Sequence, residues 1–556
     1  MKKLFAALCL AALVVPSSAS LAASPGIDAA RLSEHVKVIS SDAFEGRGPA
    51  TPAETETIDY VVAQMKAEGL KPGGDPDASA PGGRRWTQDV PLARFQVTGP
   101  IALSLTAGGA TRTLTQSQEI VVQTLVPTAH VSIKDAPLVF VGYGVKAPER
   151  NWDDFKGVDL HGKIAVVLIN DPDFEADLGG RFDGKSMTYY GRWTYKYEEA
   201  ARHAGALGFL VIHETAPASY GWNTVKNSNS NAQFDIVRPD ATKAHPLLQG
   251  WIQRDLAVDL FAKSGLDFEA MKKAAQSPDF HPVDLNGATF SADYAVDSSQ
   301  IVSHNILGIL PGGKWPDETV IYTAHWDHLG VGAPDAKGDK IYNGAVDNGT
   351  GVAAVLELGR VYAAAPRTDR SVVFLVVTAE EKGLLGSDYY ATHPLYPAAK
   401  TVADLNMDAL STDGAARDFS VSGDGKVTLL DELVTAGKAQ NRTFVPDPTP
   451  EAGHFFRSDH FSFAKVGIPA ISFHSGEDLV NGGVAAGRAW QVEYTAHRYH
   501  QPADEWSADW DLSGQVLDLT LLYNVGRSLA TSDRWPEWKP GSEFKSLRDA
   551  TAAERK

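Results

Sequence analysis

From Thr319 to Ala530 the chain repeatedly exchanges short apolar runs for segments of helical period. The runs are Thr319 to Thr323, Ser371 to Val377, Thr401 to Asn406 and Ala470 to Phe473; the helical segments are Gly349 to Ala364, Ser387 to Thr392, Val427 to Lys438 and Ser513 to Ala530. Such alternation packs as a largely parallel sheet covered by helices on both faces. Runs without a polar alternate, such as Val372 to Val377, suit strands buried on both sides. In open α/β sheets ligands gather beyond the carboxyl ends of the strands, so the residues that follow each run are the candidates for chemistry.

Four of these strand ends and loops carry metal-type side chains. After Val377 comes Thr378-Ala379-Glu380-Glu381-Lys382-Gly383, in which two adjacent carboxylates can take separate jobs, Glu381 as metal ligand and Glu380 as general base. The alternative is a solvated surface pair. After Thr323 comes His325-Trp326-Asp327-His328, where His325 is placed to bind zinc while Asp327 holds its other ring nitrogen; His328 reads as supporting or structural. Asp347, in Asn343-Gly344-Ala345-Val346-Asp347-Asn348-Gly349, reads as a helix N-cap or as a carboxylate bridging two metals. Asp408 follows the strand ending at Asn406 and is either a turn former or a further oxygen donor. Zinc favours a nitrogen donor as well, and His460, His474, His497 and His500 compete for that place. His500 is chosen, with Asp504 placed to orient it and Tyr499 offering a neutral O–H beside the metal.

Lys2 and Lys3, the apolar stretch Leu4 to Val15 and the small residues up to Ala22 read as a signal peptide over residues 1–22, so the protein is expected to be exported, to the periplasm or the medium. The one cysteine, Cys9, lies inside that segment and leaves the mature chain without disulfides. No later run is long enough for a membrane helix, and a formal charge of −18 argues against nucleic acid as partner. The remainder divides into 25–134 (helix, loop, helix, then strands), an inserted unit at 135–288, the alternating region at 289–534 and a loosely held extension at 535–556. No Gly-X-Ser-X-Gly elbow follows a strand, which removes a serine-hydrolase reading.

Taken in order, His325, Asp347, Glu380-Glu381, Asp408 and His500 resemble the metal pattern of the secreted co-catalytic di-zinc exopeptidases that include aminopeptidase Y and glutamate carboxypeptidase II. Phe44-Glu45-Gly46-Arg47-Gly48 is similar to that family's amino-terminal signature, and Ser458-Asp459-His460 with Gly467-Ile468-Pro469-Ala470 to its substrate-side loop. The insertion around Val139-Gly142-Tyr143-Gly144 and Gly162-Lys163-Ile164 resembles a protease-associated domain. The resemblance implies a three-layer αβα zinc-exopeptidase fold with a mostly parallel mixed sheet and a β-rich insertion. It implies two zinc ions: His325 and Asp408 on one, Glu381 and His500 on the other, Asp347 between them, and Glu380 as base. Arg457, Ser458 and Asp459 would face a peptide with a free amino terminus. A carboxypeptidase keeping Arg457 for the substrate carboxylate, a single-zinc glutaminyl cyclase and a non-catalytic receptor-like module are the competing readings.

Overall fold

The computed structural model describes residues 26–203, 205–229, 231–423 and 425–555; the signal peptide read in residues 1–22 lies outside them. The chain opens with two helices, α1 (Ala29–Ile39) and α2 (Pro52–Ala67), joined by the tight loop that carries Arg47. It then lays down β1 (Thr87–Ala107), β2 (Ile120–Gln123), β3 (His130–Phe140), β4 (Ile164–Leu168), β5 (Gly208–His213) and β6 (Leu248–Gln253). Between β5 and β6 stands a short helix, α3 (Trp222–Ser228). The second half supplies β7 (Val283–Leu310), β8 (Trp315–His325), β9 (Arg370–Val377), β10 (Thr401–Met407), β11 (Asp418–Val421) and β12 (Ala470–Ser475). Its long helices include α4 (Thr350–Ala364), α5 (Leu429–Ala439) and α6 (Ser513–Ala530).

The sheet of the second half runs β11-β12-β10-β8-β9-β7, with β9, β8, β10 and β12 mutually parallel and β7 and β11 antiparallel at its two sides. Every residue of β9 and β10 is buried. On β9 the alternating side chains serve two different cores. Val372, Phe374 and Val376 pack with α1, α4 and α6, while Val373, Leu375 and Val377 pack with Ile321, Tyr390 and Phe463 on the opposite face. This is why the run has no polar alternate, and it makes the expected αβα sandwich with a mostly parallel mixed sheet.

The inserted region joins this sheet edge to edge. β3, β4, β5 and β6 are parallel to one another, and β3 pairs antiparallel with the first part of β7, whose last residues pair with β9. A core of its own, including Leu138, Ile164, Leu210 and Phe261, lies against this part. The boundary read at residue 288 falls inside β7, because one 28-residue strand serves both halves. The tail from residue 535 differs from the loose extension expected of it. Trp538 donates its indole N–H to the Gly467 carbonyl, and the buried Arg548 donates to the Thr401 carbonyl at 3.0 Å, so the tail is packed against the start of β10. No helix among the described residues is long and apolar enough to cross a membrane.

Candidate metal centre

The three central strands end level with one another. His325, the last residue of β8, pairs in register with Val377 of β9, and Thr323 pairs with Asn406 of β10, so His325, the turn after β9 and Asp408 emerge at one edge. The turn after β9 reverses within a few residues, with Ala379 and Leu384 in the left-handed region and Gly386 lying so close that a Cβ there would sit 2.3 Å from the Thr378 carbonyl oxygen. That geometry turns Glu380 and Glu381 back over the sheet edge.

Asp347 is the hub. Its Oδ1 lies 3.3 Å from His325 Nε2 and its Oδ2 lies 3.3 Å from His500 Nε2. His325 Nε2 is also 3.3 Å from Asp408 Oδ1, and His500 Nε2 is 2.9 Å from Glu381 Oε2. Two groups of donors therefore share one carboxylate: His325, Asp347 and Asp408 form the first, and Asp347, Glu381 and His500 the second. His328 joins the second group, its Nδ1 2.5 Å from Glu381 Oε1. Asp347 makes no side-chain cap to α4, so the N-cap reading is displaced.

The two glutamates are driven apart electrostatically. Burial, joined by the carboxylates of Asp408, Glu381 and Asp459, raises the Glu380 carboxyl well above its usual range against the pull of His325. Glu381 is buried too, but His500 and His328 outweigh that cost and hold it down to about 2. Asp347 is likewise buried yet lies well below the carboxylate range, because His325 and His500 bond it. Paired carboxyls whose environments separate them in this way suit different tasks, Glu380 taking up and releasing a proton and Glu381 staying an anion.

Supporting contacts come from all over the chain. The Asp327 carboxylate accepts the backbone N–H of Glu380 at 3.0 Å, and His325 Nδ1 meets the Asp327 carbonyl oxygen at 3.1 Å rather than its carboxylate, which is 3.8 Å away. Asp327 thus orients His325 through the main chain and the glutamate turn through its side chain. Ser458 Oγ donates to Asp408 Oδ2 at 2.7 Å. Asn348 donates to the Met407 carbonyl and ties the Asp347 loop to the end of β10.

Two expectations need correction. Asp504 does not orient His500; its carboxylate accepts the N–H groups of Val346 and Asp347 and shapes the hub loop instead. His500 Nδ1 lies 2.8 Å from Ser228 Oγ, and Asn227 donates to the His500 carbonyl, both from α3 of the insertion. Asp459 is fully buried beneath the glutamate turn, is not part of the cavity wall and so cannot meet substrate. Arg457, Ser458 and Tyr499 do line the cavity onto which the centre opens, the Tyr499 ring lying against that of His500 with centroids 3.9 Å apart. Of the competing histidines, His460 is wholly buried and held down to about 3 by burial, His474 bonds Ser422 Oγ, and His497 is exposed.

The Phe44-Glu45-Gly46-Arg47-Gly48 motif by itself assigns Arg47 no role. Arg47 is fully buried, and its guanidinium donates to the carbonyls of Trp326, Ile39, Asn343 and Gly344, clamping the histidine loop to the Asp347 loop. Ser228 had no sequence signal at all, since it stands 272 residues from the ring it touches. Changing Ser228 to alanine is expected to weaken metal retention at the His500 side by about 10- to 100-fold, the usual cost of losing a partner of a ligating imidazole. Metal titration of the stripped protein checks this, with Ser228→Thr expected to keep the affinity; an unaltered Ser228→Ala titration curve refutes it.

The donor set fits zinc. It mixes imidazole nitrogen with carboxylate oxygen, and donors at about 2.05 Å around a tetrahedral zinc stand about 3.3 Å apart, the separation seen between His325, Asp347 and Asp408.

Residues 305–523 match the model of Peptidase family M28. Aminopeptidase YwaD of Bacillus subtilis is 28% identical over 206 residues, 36% of this chain and 39% of that protein. Aminopeptidase NAALADL1 of Mus musculus is 36% identical over 112 residues, 19% of this chain and 13% of that protein. The match thus spans well under half the length of these curated relatives. Among solved structures, the aminopeptidase from Aneurinibacillus sp. strain AM-1 superposes with a TM-score of 0.53 at 18% identity, covering 93% of this chain and 98% of that one, a likeness of fold. The stretch that carries His325, Asp347, Glu380, Glu381, Asp408 and His500 is therefore a peptidase family M28 domain.

Proposed function

We propose that the protein is an exported two-zinc aminopeptidase that removes the amino-terminal residue from peptides. The observation that carries this is the Asp347 carboxylate, one oxygen 3.3 Å from His325 Nε2 and the other 3.3 Å from His500 Nε2, which joins two donor groups into one centre. His325 and Asp408 would hold one ion, Glu381 and His500 the other, with Asp347 shared. Zinc bound there supplies a Lewis acid for the scissile carbonyl and lowers the pKa of water.

The residues divide the remaining work. Glu380, buried at the sheet edge with a raised carboxyl, takes a proton from the attacking water and returns it to the leaving amine. Tyr499, neutral because burial and the surrounding carboxylates raise its phenol well above the usual range, donates its O–H to the developing oxyanion. Asp327 and Ser458 hold the glutamate turn and Asp408 in place. A leader in residues 1–22 and a protease-associated character for the insertion belong to the same proposal.

The test is amino-acid release from one peptide in four forms, its amino terminus free or acetylated and its carboxyl terminus free or amidated. Release that stops on acetylation and continues on amidation is the expected result. Release that stops on amidation alone makes the enzyme a carboxypeptidase.

A further inference from the structure

The centre opens onto a cavity of about 1360 Å³, walled partly by the M28 domain and partly by the insertion. Among the acidic groups of this site stand two arginines that have no acid partner among the described residues. Arg192, at the head of the helix Trp193–Ala201, is 7% exposed; among the described residues its guanidinium makes no ion pair and no hydrogen bond, and its Nε is buried and unpartnered. Arg457, in the loop before the helix His460–Lys465, donates Nη2 to the Ala218 carbonyl at 2.9 Å and lies over the Tyr220 ring at 4.9 Å, but its Nε is also buried and unpartnered.

Other buried arginines of this chain have an acid partner or a set of carbonyl acceptors, although Nε and Nη1 of Arg442 and Nε of Arg548 are also buried and unpartnered. Arg370 meets Glu318 at 2.7 Å, Arg442 meets Asp518 at 2.6 Å, and Arg47 spends its donors on four carbonyls. Burying an unpaired guanidinium is expensive, and burying two within reach of each other more so. Burial and then the charge of Arg457 push Arg192 down to about 10, and the largest influences in the other direction are phenols, Tyr220, Tyr499 and Tyr189, rather than carboxylates. Two guanidinium groups with buried unpartnered Nε atoms, lining the same cavity as Glu380, Asp408 and His500, suit an anion that arrives with the substrate. A planar fork matches a carboxylate best.

We propose that Arg192 and Arg457 form a subsite for a substrate carboxylate, so that the enzyme favours short peptides carrying a negative charge within a residue or so of the bond it cuts. This rests on the peptidase reading above. It also gives the insertion a part in substrate choice, since Arg192 belongs to it. The carboxylate has two possible sources, an acidic side chain on the amino-terminal residue or the carboxyl terminus of a dipeptide.

The experiment compares kcat/KM on the metal-loaded enzyme within two substrate pairs. Glutamyl-leucinamide against glutaminyl-leucinamide reads the side chain, and leucyl-leucine against leucyl-leucinamide reads the terminus. The charged member of one pair is expected to be favoured about 10- to 100-fold, mainly through KM, as charge-assisted hydrogen bonds would give. Arg192→Gln and Arg457→Gln are each expected to reduce that ratio toward unity. The ratio is taken within a single preparation, so partial misfolding scales both rates and leaves it unchanged; Arg457→Gln, at a half-buried position, supplies the reading where Arg192→Gln does not fold. Ratios near unity in both pairs, or a preference untouched by both variants, overturn the subsite while leaving the peptidase reading standing. No hydrolysis of any of the four substrates overturns the peptidase reading and the subsite with it.

Discussion

Replacing Glu380 with glutamine is expected to lower kcat by about 10²- to 10⁴-fold, the range a positioned general base supplies, while metal content stays that of the parent. The two halves of this expectation come from different parts of the structure. Glu380 approaches the donor cluster only at its margin, 3.9 Å from His325 Nε2, whereas His325, Asp347 and Asp408 stand 3.3 Å apart and His500 and Glu381 2.9 Å apart. Loss of Glu380 therefore removes a proton carrier and spares the donors. Glutamine is nearly isosteric and keeps the turn, whose backbone N–H groups remain on Asp327. The same exchange at Glu381 should instead strip metal, because that carboxylate is gripped between His328 and His500. Metal analysis beside single-substrate kinetics separates the two, and a Glu380→Gln protein with parental kcat would remove Glu380 from the role of base.

The strand-end chemistry was readable because it is local. An apolar run with no polar alternate marks a central strand, and the Glu380-Glu381 turn follows such a run directly, while His325 and Asp408 follow runs that are mostly apolar. Their meeting at one edge then follows from parallel pairing, which the alternation of strand and helix already implied. His500 required a choice among four histidines, and the geometry that singles it out depends on Ser228 and Asp347, distant in sequence. Asp504 shows the limit of proximity as a guide. Four residues from His500 it looked like its partner, yet the chain turns between them and the carboxylate lands on the backbone of the Asp347 loop. The tail misled for a related reason. Prolines and charges suggest a solvated end, but Arg548 and Trp538 find main-chain carbonyls on β10 and on the lead-in to β12, contacts that no local pattern announces.

Arg47 supports the second large prediction. Its four hydrogen bonds run to carbonyls on three separate segments: the end of α1, the His325 loop and the loop before Asp347. Gly344, one of those acceptors, also carries the close approach of the His328 ring, which a Cβ there would meet at 2.5 Å. Burial lowers the Arg47 pKa to about 10, and Asp504, Asp327, Asp347 and Glu381 pull it back up, so it remains charged at neutral pH and its field helps this acidic cluster coexist. Arg47→Met leaves several buried carbonyls without donors, each costing about 1–3 kcal/mol, and removes the cation from among the carboxylates. We expect a stability loss of about 4 kcal/mol or more together with reduced metal retention. Arg47→Lys should recover only a small part, since one ammonium cannot reach acceptors spread around a planar fork. Urea unfolding of metal-free and metal-loaded protein measures both effects. If the loss appears only in the metal-free form, the clamp and the ions do the same work of holding the two loops together. If Arg47→Met unfolds like the parent in both forms, the guanidinium is a passenger and the loops are held by Asp504 and Asn348 alone.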